Sequence, residues 1–366
     1  MSVPAATLTE ALASKGVVIC CGSGGVGKTT TAAAVGLGAA RRGERVLVIT
    51  IDPAKRLADA LGVREVGNEE TQVRLPRTTG QLWVAMLDTS ASWDGLVRRH
   101  APDPATRDRI LANPLYRNIT QRFVQSHDYI AMERLYELRE SGEWDRIVID
   151  TPPSRHALDF LDAPERMSEF FSSSLLRWIT LPYRIGGERA GRLGYLASKP
   201  FYQVADRILG SKFLEDIAEF FLLFQTMYAG FVRRAQSVSA LLREPTTSFV
   251  VISTLEPAPL REAEFFITEL ARRRLNLGAL VFNRVLPPVF SEPSARTAAT
   301  MLSVRTEPDL RHAGATYLEY AALADHERAQ RERLATMPEV VVTIPQFEGD
   351  IASVAALGDL AKRLWE

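Results

Sequence analysis

The sequence has 366 residues, with 44 basic and 44 acidic side chains that give a formal net charge of zero. A chain of this length accommodates one large α/β domain with an insert, or two smaller domains. The balanced charge gives no support for a nucleic-acid partner or for binding to an anionic membrane surface. The two cysteines, Cys20 and Cys21, are adjacent. They exclude a disulfide framework, lack the spacing of a zinc site and fit a reducing compartment.

The N-terminal segment lacks the signature of a secretory signal peptide, because residues 1–15 contain no basic segment followed by an apolar core. The longest strongly apolar run, Phe220–Phe224, is too short to span a bilayer. We therefore expect a cytoplasmic protein without a transmembrane segment.

The first structural unit is a strand, a glycine-rich loop and a helix. The apolar run Val17–Cys21 predicts a buried strand, and the alanine-rich segment that ends at Ala40 predicts a helix. Between them, Gly22 to Thr29 matches the phosphate-loop (P-loop) pattern of Gly, four residues, Gly-Lys-Thr. Backbone N–H groups and the helix dipole bind phosphate in such loops, while Lys28 and Thr29 supply a positive charge and a ligand for Mg²⁺. A turn that binds nothing is the alternative, but the flanking strand and helix favour a nucleoside triphosphate site. The residues predicted to contact the nucleotide are Gly22, Ser23, Gly24, Gly25, Val26, Gly27, Lys28, Thr29 and Thr30.

Further apolar runs predict a doubly wound, mostly parallel α/β sheet. With the first strand they make about seven, the others being Arg45–Thr50, Leu82–Leu87, Arg146–Asp150, Phe249–Ile252, Ala279–Phe282 and Val340–Ile344. Helical patterns lie between them, at Ser92–His100 and Asp128–Glu140 among others.

Two aspartates end predicted strands near the loop. Asp150 lies where a carboxylate that holds Mg²⁺, directly or through water, belongs, although it could merely cap the turn before two prolines. Asp52 ends the second strand, from which it could orient the attacking water. A helix N-cap before Pro53 fits Asp52 as well, and the two roles are compatible.

The pattern changes between residues 164 and 244, where strand signals give way to amphipathic helix. We therefore predict one P-loop nucleotide-binding domain, residues 1–163 and 245–366, with a helical insert at residues 164–244. The insert carries three apolar stripes, formed by Phe213, Ile217, Phe220, Phe224, Met227 and Phe231, by Leu214, Phe221 and Tyr228, and by Met167, Phe170, Phe171, Leu175, Trp178 and Ile179. Such faces suit binding of a hydrophobic helix, but packing within the insert or against a partner chain predicts the same periodicity.

Four motifs occur together in one order: the glycine-rich loop, Asp52-Pro53-Ala54-Lys55, the segment from Asp150 to His156, and the segment from Phe282 to Pro287. Together they resemble the arsenical-pump-driving and tail-anchored-protein-targeting ATPases, in the bacterial branch known as anion-transporting ATPases, whose P-loop is a deviant Walker A motif. The resemblance runs from about Gly16 to the C-terminus.

The resemblance implies ATP or ADP and Mg²⁺ as cofactors, with the Asp52 segment as switch I and the Asp150 segment as switch II. It also implies that Asn283 contacts adenine, although from the residues alone an asparagine there could equally stabilise a turn. Members of this family work as dimers whose nucleotide sites face each other and whose opening and closing moves a helical subdomain.

Three features of the sequence depart from the family pattern. The deviant P-loop has a lysine that reaches the partner's phosphates, and here that position is Ser23, which cannot supply the charge. Either another chain supplies this positive charge, or another residue such as Lys55 or Arg56 replaces the lysine, or hydrolysis is slow. Lys55 also replaces the usual histidine of switch I. The cysteines match neither a metalloid site nor a dimer zinc site.

We therefore predict a Mg-dependent dimeric ATPase, with Lys28 and Asp52 as catalytic residues and Thr29 and Asp150 as metal ligands. Its open and closed states would handle a hydrophobic helical client or drive a membrane-protein partner, as a homodimer or with a paralogous ATPase. One alternative is a non-catalytic or weakly catalytic subunit of such a heterodimer. The other is a partitioning or positioning ATPase, which the short C-terminal helix and zero net charge disfavour. No nucleic-acid partner is expected.

Overall fold

The structure is a computed structural model. It describes residues 7–51, 56–63, 67, 69–75, 78–87, 89–116, 133–151, 169, 216–217, 219–223, 226–334, 340–347, 349–351 and 353–365.

One sheet contains all eight strands of this described part. The strands are β1 (Val17–Cys21), β2 (Arg45–Thr50), β3 (Thr71–Val73), β4 (Gln81–Met86), β5 (Arg146–Asp150), β6 (Thr247–Ser253), β7 (Leu277–Val285) and β8 (Val341–Pro345). Their order is β3-β4-β2-β5-β1-β6-β7-β8, and every neighbouring pair is parallel except β3 with β4. The predicted P-loop fold with a mostly parallel sheet is confirmed. The sequence analysis missed β3, because three residues are too few to show a strand pattern.

Helices cover both faces of the sheet, which explains why β1, β5 and β6 are buried along their whole length. The helices are α1 (Leu8–Leu12), α2 (Lys28–Arg41), α3 (Arg56–Leu61), α4 (Thr89–His100), α5 (Pro104–Ala112), α6 (Tyr228–Arg243), α7 (Pro257–Arg272), α8 (Pro293–Ser303), α9 (Pro308–Leu334) and α10 (Val354–Trp365). Residues 133–140 are also helical. None of the helices in the described residues combines the length and the apolar character needed to cross a membrane.

Helix α2, which follows the glycine-rich loop, is buried on nearly its whole circumference because its side chains are small. The C-terminal helix α10 packs against it so closely that a Cβ at Gly38 would lie 2.0 Å from Nε1 of Trp365. The Arg42 guanidinium lies 4.4 Å from the centre of the Trp365 ring. The C-terminal helix therefore fixes the position of α2.

The chain forms two compact units. The first comprises Met1–Leu87, Ser141–Ala157 and Leu242–Glu366 and contains the sheet, whereas the second comprises Asp88–Glu140 and Leu158–Leu241. The second unit thus contains residues 88–140 as well as most of the predicted insert at residues 164–244. An amphipathic pattern identifies a helix but does not say which other helix it packs against, so the sequence could not group these two segments.

The described residues of the predicted Phe213–Phe231 stripes lie mostly in the core of the second unit. Phe220, Phe221 and Met227 have exposed fractions of 4%, 8% and 1%. The Phe220 ring packs against Tyr116, with 6.5 Å between ring centres. These side chains therefore pack within a core, which is one of the alternatives that their periodicity left open. The Met167–Ile179 stripe lies outside the described residues.

Candidate nucleotide site

The glycine-rich loop leaves the carboxyl end of β1 and passes between its neighbours in the sheet. A Cβ at Gly22 would lie only 2.1 Å from the carbonyl oxygen of Ile252 at the end of β6, so this position admits no side chain. Gly27, the last loop residue, has a φ of +95°, which residues with side chains rarely adopt. Glycine is required at both positions by the backbone path.

Helix α2 begins at Lys28 with an open N-terminus. Gly27 occupies the N-cap position and makes no side-chain cap hydrogen bond. The amide groups of the first turn can therefore bind an anion, an interaction that the helix dipole favours. Lys28 is 7% exposed. Its Nζ donates a hydrogen bond of 2.9 Å to the Ser23 carbonyl oxygen, which holds the ammonium group over the loop.

Asp150 lies at the carboxyl end of β5 and is 1% exposed. Its Oδ2 accepts hydrogen bonds from the hydroxyl of Thr29 at 2.6 Å and from the hydroxyl of Thr50 at 3.1 Å. Thr50 ends β2 directly beside Asp150 in the sheet register. The sequence analysis did not identify Thr50, although its place at the end of the neighbouring strand was a usable signal.

The chemistry of this pair fits Mg²⁺. A carboxylate and a hydroxyl are hard oxygen donors, and proteins commonly hold Mg²⁺ with one or two such groups together with water and substrate phosphates. Within the described residues there is no group of three acidic, histidine or cysteine side chains that could hold a metal alone. Phosphate and water would therefore complete the coordination of Mg²⁺ at Thr29 and Asp150.

Asn283, near the end of β7, contacts the same loop from the other side. Its Nδ2 donates to the carbonyl oxygen of Val26 at 2.7 Å, and its Oδ1 accepts from the backbone N–H of Arg284 at 2.9 Å. Arg284 has a φ of +60°, so the backbone turns sharply here. The asparagine therefore links this bend near the end of β7 to the phosphate loop.

A pocket of about 1270 Å³ lies beyond the carboxyl ends of β6, β7 and β8. Leu255, Leu286 and Phe347, which follow these three strands, contribute apolar surface. Glu327 on α9 also lines the pocket. Its Oε2 accepts a hydrogen bond of 3.0 Å from the backbone N–H of Leu286. Burial raises the pKa of the Glu327 carboxyl above its usual range. Four basic side chains, those of Arg328, Arg331, Lys362 and Arg363, also line the pocket, together with the acidic Asp359.

The two thiols lie on β1 and are buried. Burial raises the pKa of Cys21 to about 12 and that of Cys20 well above its usual value, so both stay protonated. Adjacent strand residues point to opposite faces of a sheet, so these thiols cannot jointly bind one metalloid.

The structure thus brings together Ser23, Val26, Lys28, Thr29, Asp150 and Asn283 around one loop. Asp52 and Lys55 lie outside the described residues, as do the switch II residues after Thr151. Their predicted roles stay predictions.

The known proteins that match this chain are named as ATPases. Residues 15–183 match the model of the anion-transporting ATPase family. The ATPase GET3 of Malassezia globosa is 26% identical over 274 residues, which cover 74% of this chain and 73% of that protein. The ATPase get3 of Aspergillus terreus is 27% identical over 272 residues, covering 73% and 72%.

A protozoan relative shows the same similarity over a smaller share of its own length. The ATPase ASNA1 homolog of Cryptosporidium parvum is 25% identical over 269 residues, which cover 73% of this chain and 64% of that protein, just under two thirds. These matches confirm the resemblance that the four motifs predicted: the chain is similar to the anion-transporting ATPases over residues 15–183 and to the GET3 and ASNA1 ATPases over about three quarters of its length.

Proposed function

We propose that this chain binds Mg-ATP at the Gly22–Thr29 loop and uses hydrolysis of the β–γ phosphoanhydride to switch a dimer between closed and open states. The observation that carries the proposal is the 2.6 Å contact between Thr29 at the start of α2 and the buried Asp150 carboxylate, beside the buried Lys28. A cation, two oxygens of the kind that Mg²⁺ prefers and the open amides of a helix start lie at one loop, and together they support the proposal.

Each group has a separate task in the proposed reaction. Water attacks the γ-phosphorus, the bond from that atom to the bridging oxygen breaks, and ADP leaves. Lys28 neutralises negative charge that develops on the phosphate oxygens, and the loop N–H groups hold the β-phosphate. Thr29 and Asp150 would hold Mg²⁺, which supplies further charge neutralisation when bound. Asp52 would orient the attacking water.

The pocket beyond β6, β7 and β8 suits the adenosine part of the nucleotide. It lies at the carboxyl edge of the sheet, where ligands of open α/β sheets bind, and Leu286 places it three residues along the chain from Asn283. Apolar and aromatic groups beside charged ones can accept both a base and a ribose.

A dimer is part of the proposal, and Ser23 bears on its composition. In this structure the Ser23 carbonyl accepts the hydrogen bond from Lys28 of its own chain. The Ser23 side chain cannot supply positive charge to a partner's phosphates. A homodimer would have to use another cation. A heterodimer with a paralogous ATPase would receive the cation from the other chain, and this second candidate rests on Ser23.

A hydrophobic helical client is a further element of the proposal. Because the described side chains Phe220, Phe221 and Met227 are buried, a client surface would have to use other residues of the insert. The test is binding of a hydrophobic helical peptide to the purified protein. Binding that depends on the nucleotide supports client handling, whereas equal binding with ATP, with ADP and without nucleotide contradicts it.

The proposed hydrolysis is tested by steady-state turnover of Mg-ATP with the purified chain. Lys28→Ala should lower turnover by at least about 100-fold, because it removes a charge that acts on the transition state. Lys15→Ala is the matched control, since Lys15 bonds to the Pro245 carbonyl at the amino edge of the sheet. Full activity of Lys28→Ala would contradict the site. Tight ATP binding without turnover in the native chain would favour the heterodimer.

A further inference from the structure

The contact between Asn283 and Val26 is a hydrogen bond from a side chain to the backbone of the phosphate loop itself. Nδ2 of Asn283 lies 2.7 Å from the Val26 carbonyl oxygen. The peptide unit that contains this oxygen also contains the N–H of Gly27. This peptide bond is trans, as are all those of the described residues, so the two groups lie in one plane and point in opposite directions.

Gly27 is where this peptide unit could most easily rotate. Its φ of +95° shows a backbone that only glycine adopts readily, and glycine has little barrier to other conformations. If the Val26–Gly27 peptide turned over, the N–H of Gly27 would point toward Asn283 instead of away from it. The hydrogen bond from Asn283 opposes this rotation, because it holds the Val26 carbonyl toward Asn283.

We propose that Asn283 is a positioning residue that fixes the Gly27 N–H toward the phosphates, in addition to any contact with the base. This inference rests on the proposed Mg-ATP site. Asn283 acts on phosphate binding through the loop backbone, before nucleotide arrives.

The surroundings of Asn283 keep its side chain in place. Phe282, the preceding residue, is fully buried. Two hydrogen bonds hold the turn that follows, from Leu286 N–H to the Glu327 carboxylate at 3.0 Å and from Gln346 N–H to the Val285 carbonyl at 2.9 Å. A Cβ at Gly27 would lie 2.3 Å from Nδ2, so the amide packs directly on the glycine. The donor is therefore preorganised against the loop.

A ligand without a base separates loop positioning from base recognition. Inorganic tripolyphosphate carries the phosphate chain of ATP but offers nothing for a base-reading side chain to contact. If Asn283 only contacts adenine, its loss weakens ATP and leaves tripolyphosphate binding unchanged. If Asn283 positions the loop, tripolyphosphate binding weakens as well, and any contact with the base adds a further loss for ATP alone.

The experiment measures calorimetric affinities of Mg-ATP, Mg-GTP and Mg-tripolyphosphate for the native chain and for Asn283→Ala and Asn283→Asp. For Asn283→Ala we expect ATP and tripolyphosphate to weaken together, roughly fivefold to tenfold, as for loss of one hydrogen bond. A change in the ratio of ATP to GTP affinity reports separately on any contact between Asn283 and the base. Asn283→Asp should bind more weakly still, because a carboxylate cannot donate to Val26 and repels phosphate.

Asn276→Ala is the matched control. Asn276 also donates from its amide to backbone carbonyls, at 2.8 Å to Glu244 and 3.1 Å to Thr247, but it precedes β7 at the opposite edge of the sheet. It should lower stability without changing either affinity. Unchanged tripolyphosphate binding by Asn283→Ala, together with a lost preference for ATP over GTP, would overturn the inference. A native chain that binds none of these ligands would instead contradict the proposed function.

Hydrogen exchange of the ligand-free protein gives a second measurement that needs no ligand. Asn283→Ala should speed amide exchange in a peptide covering residues 22–30 and leave β2 unchanged. An unchanged exchange rate in the loop would overturn the inference whatever the affinities show.

Discussion

Asp150 and Asn283 hold the same loop and helix start from two sides, with opposite chemistry. Asp150, at the end of β5, is a buried acceptor for the hydroxyl groups of Thr29 and Thr50. Asn283, near the end of β7, is a neutral donor to the backbone carbonyl of Val26. The charged contact is suited to a metal ion and the neutral contact to loop geometry. Substitutions on the two sides should therefore change different properties.

Asp150→Asn should have the largest effect on the charged side. The amide keeps the size of the carboxylate and can still accept from Thr29, so the fold should persist, but it offers Mg²⁺ no negative charge. We expect turnover at limiting Mg²⁺ to fall about 100-fold, with partial recovery as Mg²⁺ rises. The measurement is ATP turnover across a magnesium titration.

Asp145→Asn is its matched control. The Asp145 carboxylate lies at the amino end of β5, away from the loop, and accepts a hydrogen bond of 2.7 Å from the backbone N–H of Arg45. This variant should retain the native magnesium dependence. If Asp150→Asn retains it too, Asp150 is not a metal ligand and the contact with Thr29 only stabilises the helix start.

Gly27→Ala sharpens the comparison on the neutral side. The new methyl group would meet the Asn283 amide at 2.3 Å, in addition to the unfavourable φ of +95°. We expect a loss of about 1–3 kcal/mol in the free energy of unfolding and at least a tenfold loss of tripolyphosphate affinity. Chemical denaturation and calorimetry measure these two effects.

Gly62→Ala isolates the backbone contribution, because Gly62 also has a positive φ, of +65°, but a Cβ there would lie within 4 Å of no atom among the described residues. It should lose less stability than Gly27→Ala and no affinity. Equal losses in stability would mean that the Asn283 amide moves aside at little cost, which would weaken the claim that it holds the loop rigidly.

The sequence predicts the partners of Asp150 on the charged side better than the partner of Asn283 on the neutral side, and the reason is physical. Thr29 is part of a spaced motif, and an aspartate that ends an apolar strand is itself a signal, so Asp150 was identified with its partner. The acceptor for Asn283 is a backbone carbonyl, which every residue has. No sequence pattern marks Val26 as that partner, and only the fold brings the two together.

The same limit applies to packing between helices. The stripe that includes Phe220 and Met227 was visible as a periodicity, but the sequence left open whether it formed a core or a client surface. Because both side chains are buried, they belong to the core and not to an exposed client surface. Grouping of residues 88–140 with the second unit was not predictable either, because it depends on contacts between segments far apart in the chain.

Thr50→Val should have the smallest effect, again on the charged side. Valine has nearly the same shape as threonine and suits a buried strand, so stability should change by about 1 kcal/mol or less. The lost 3.1 Å hydrogen bond removes one of the groups that orient the Asp150 carboxylate. We expect half-maximal turnover to need about threefold more Mg²⁺ with little change in kcat, because orienting groups around a ligand tune metal affinity.

Thr247→Val, at a buried position on β6 away from the loop, is the matched control. A magnesium dependence identical in the two variants would show that Thr29 alone orients the carboxylate.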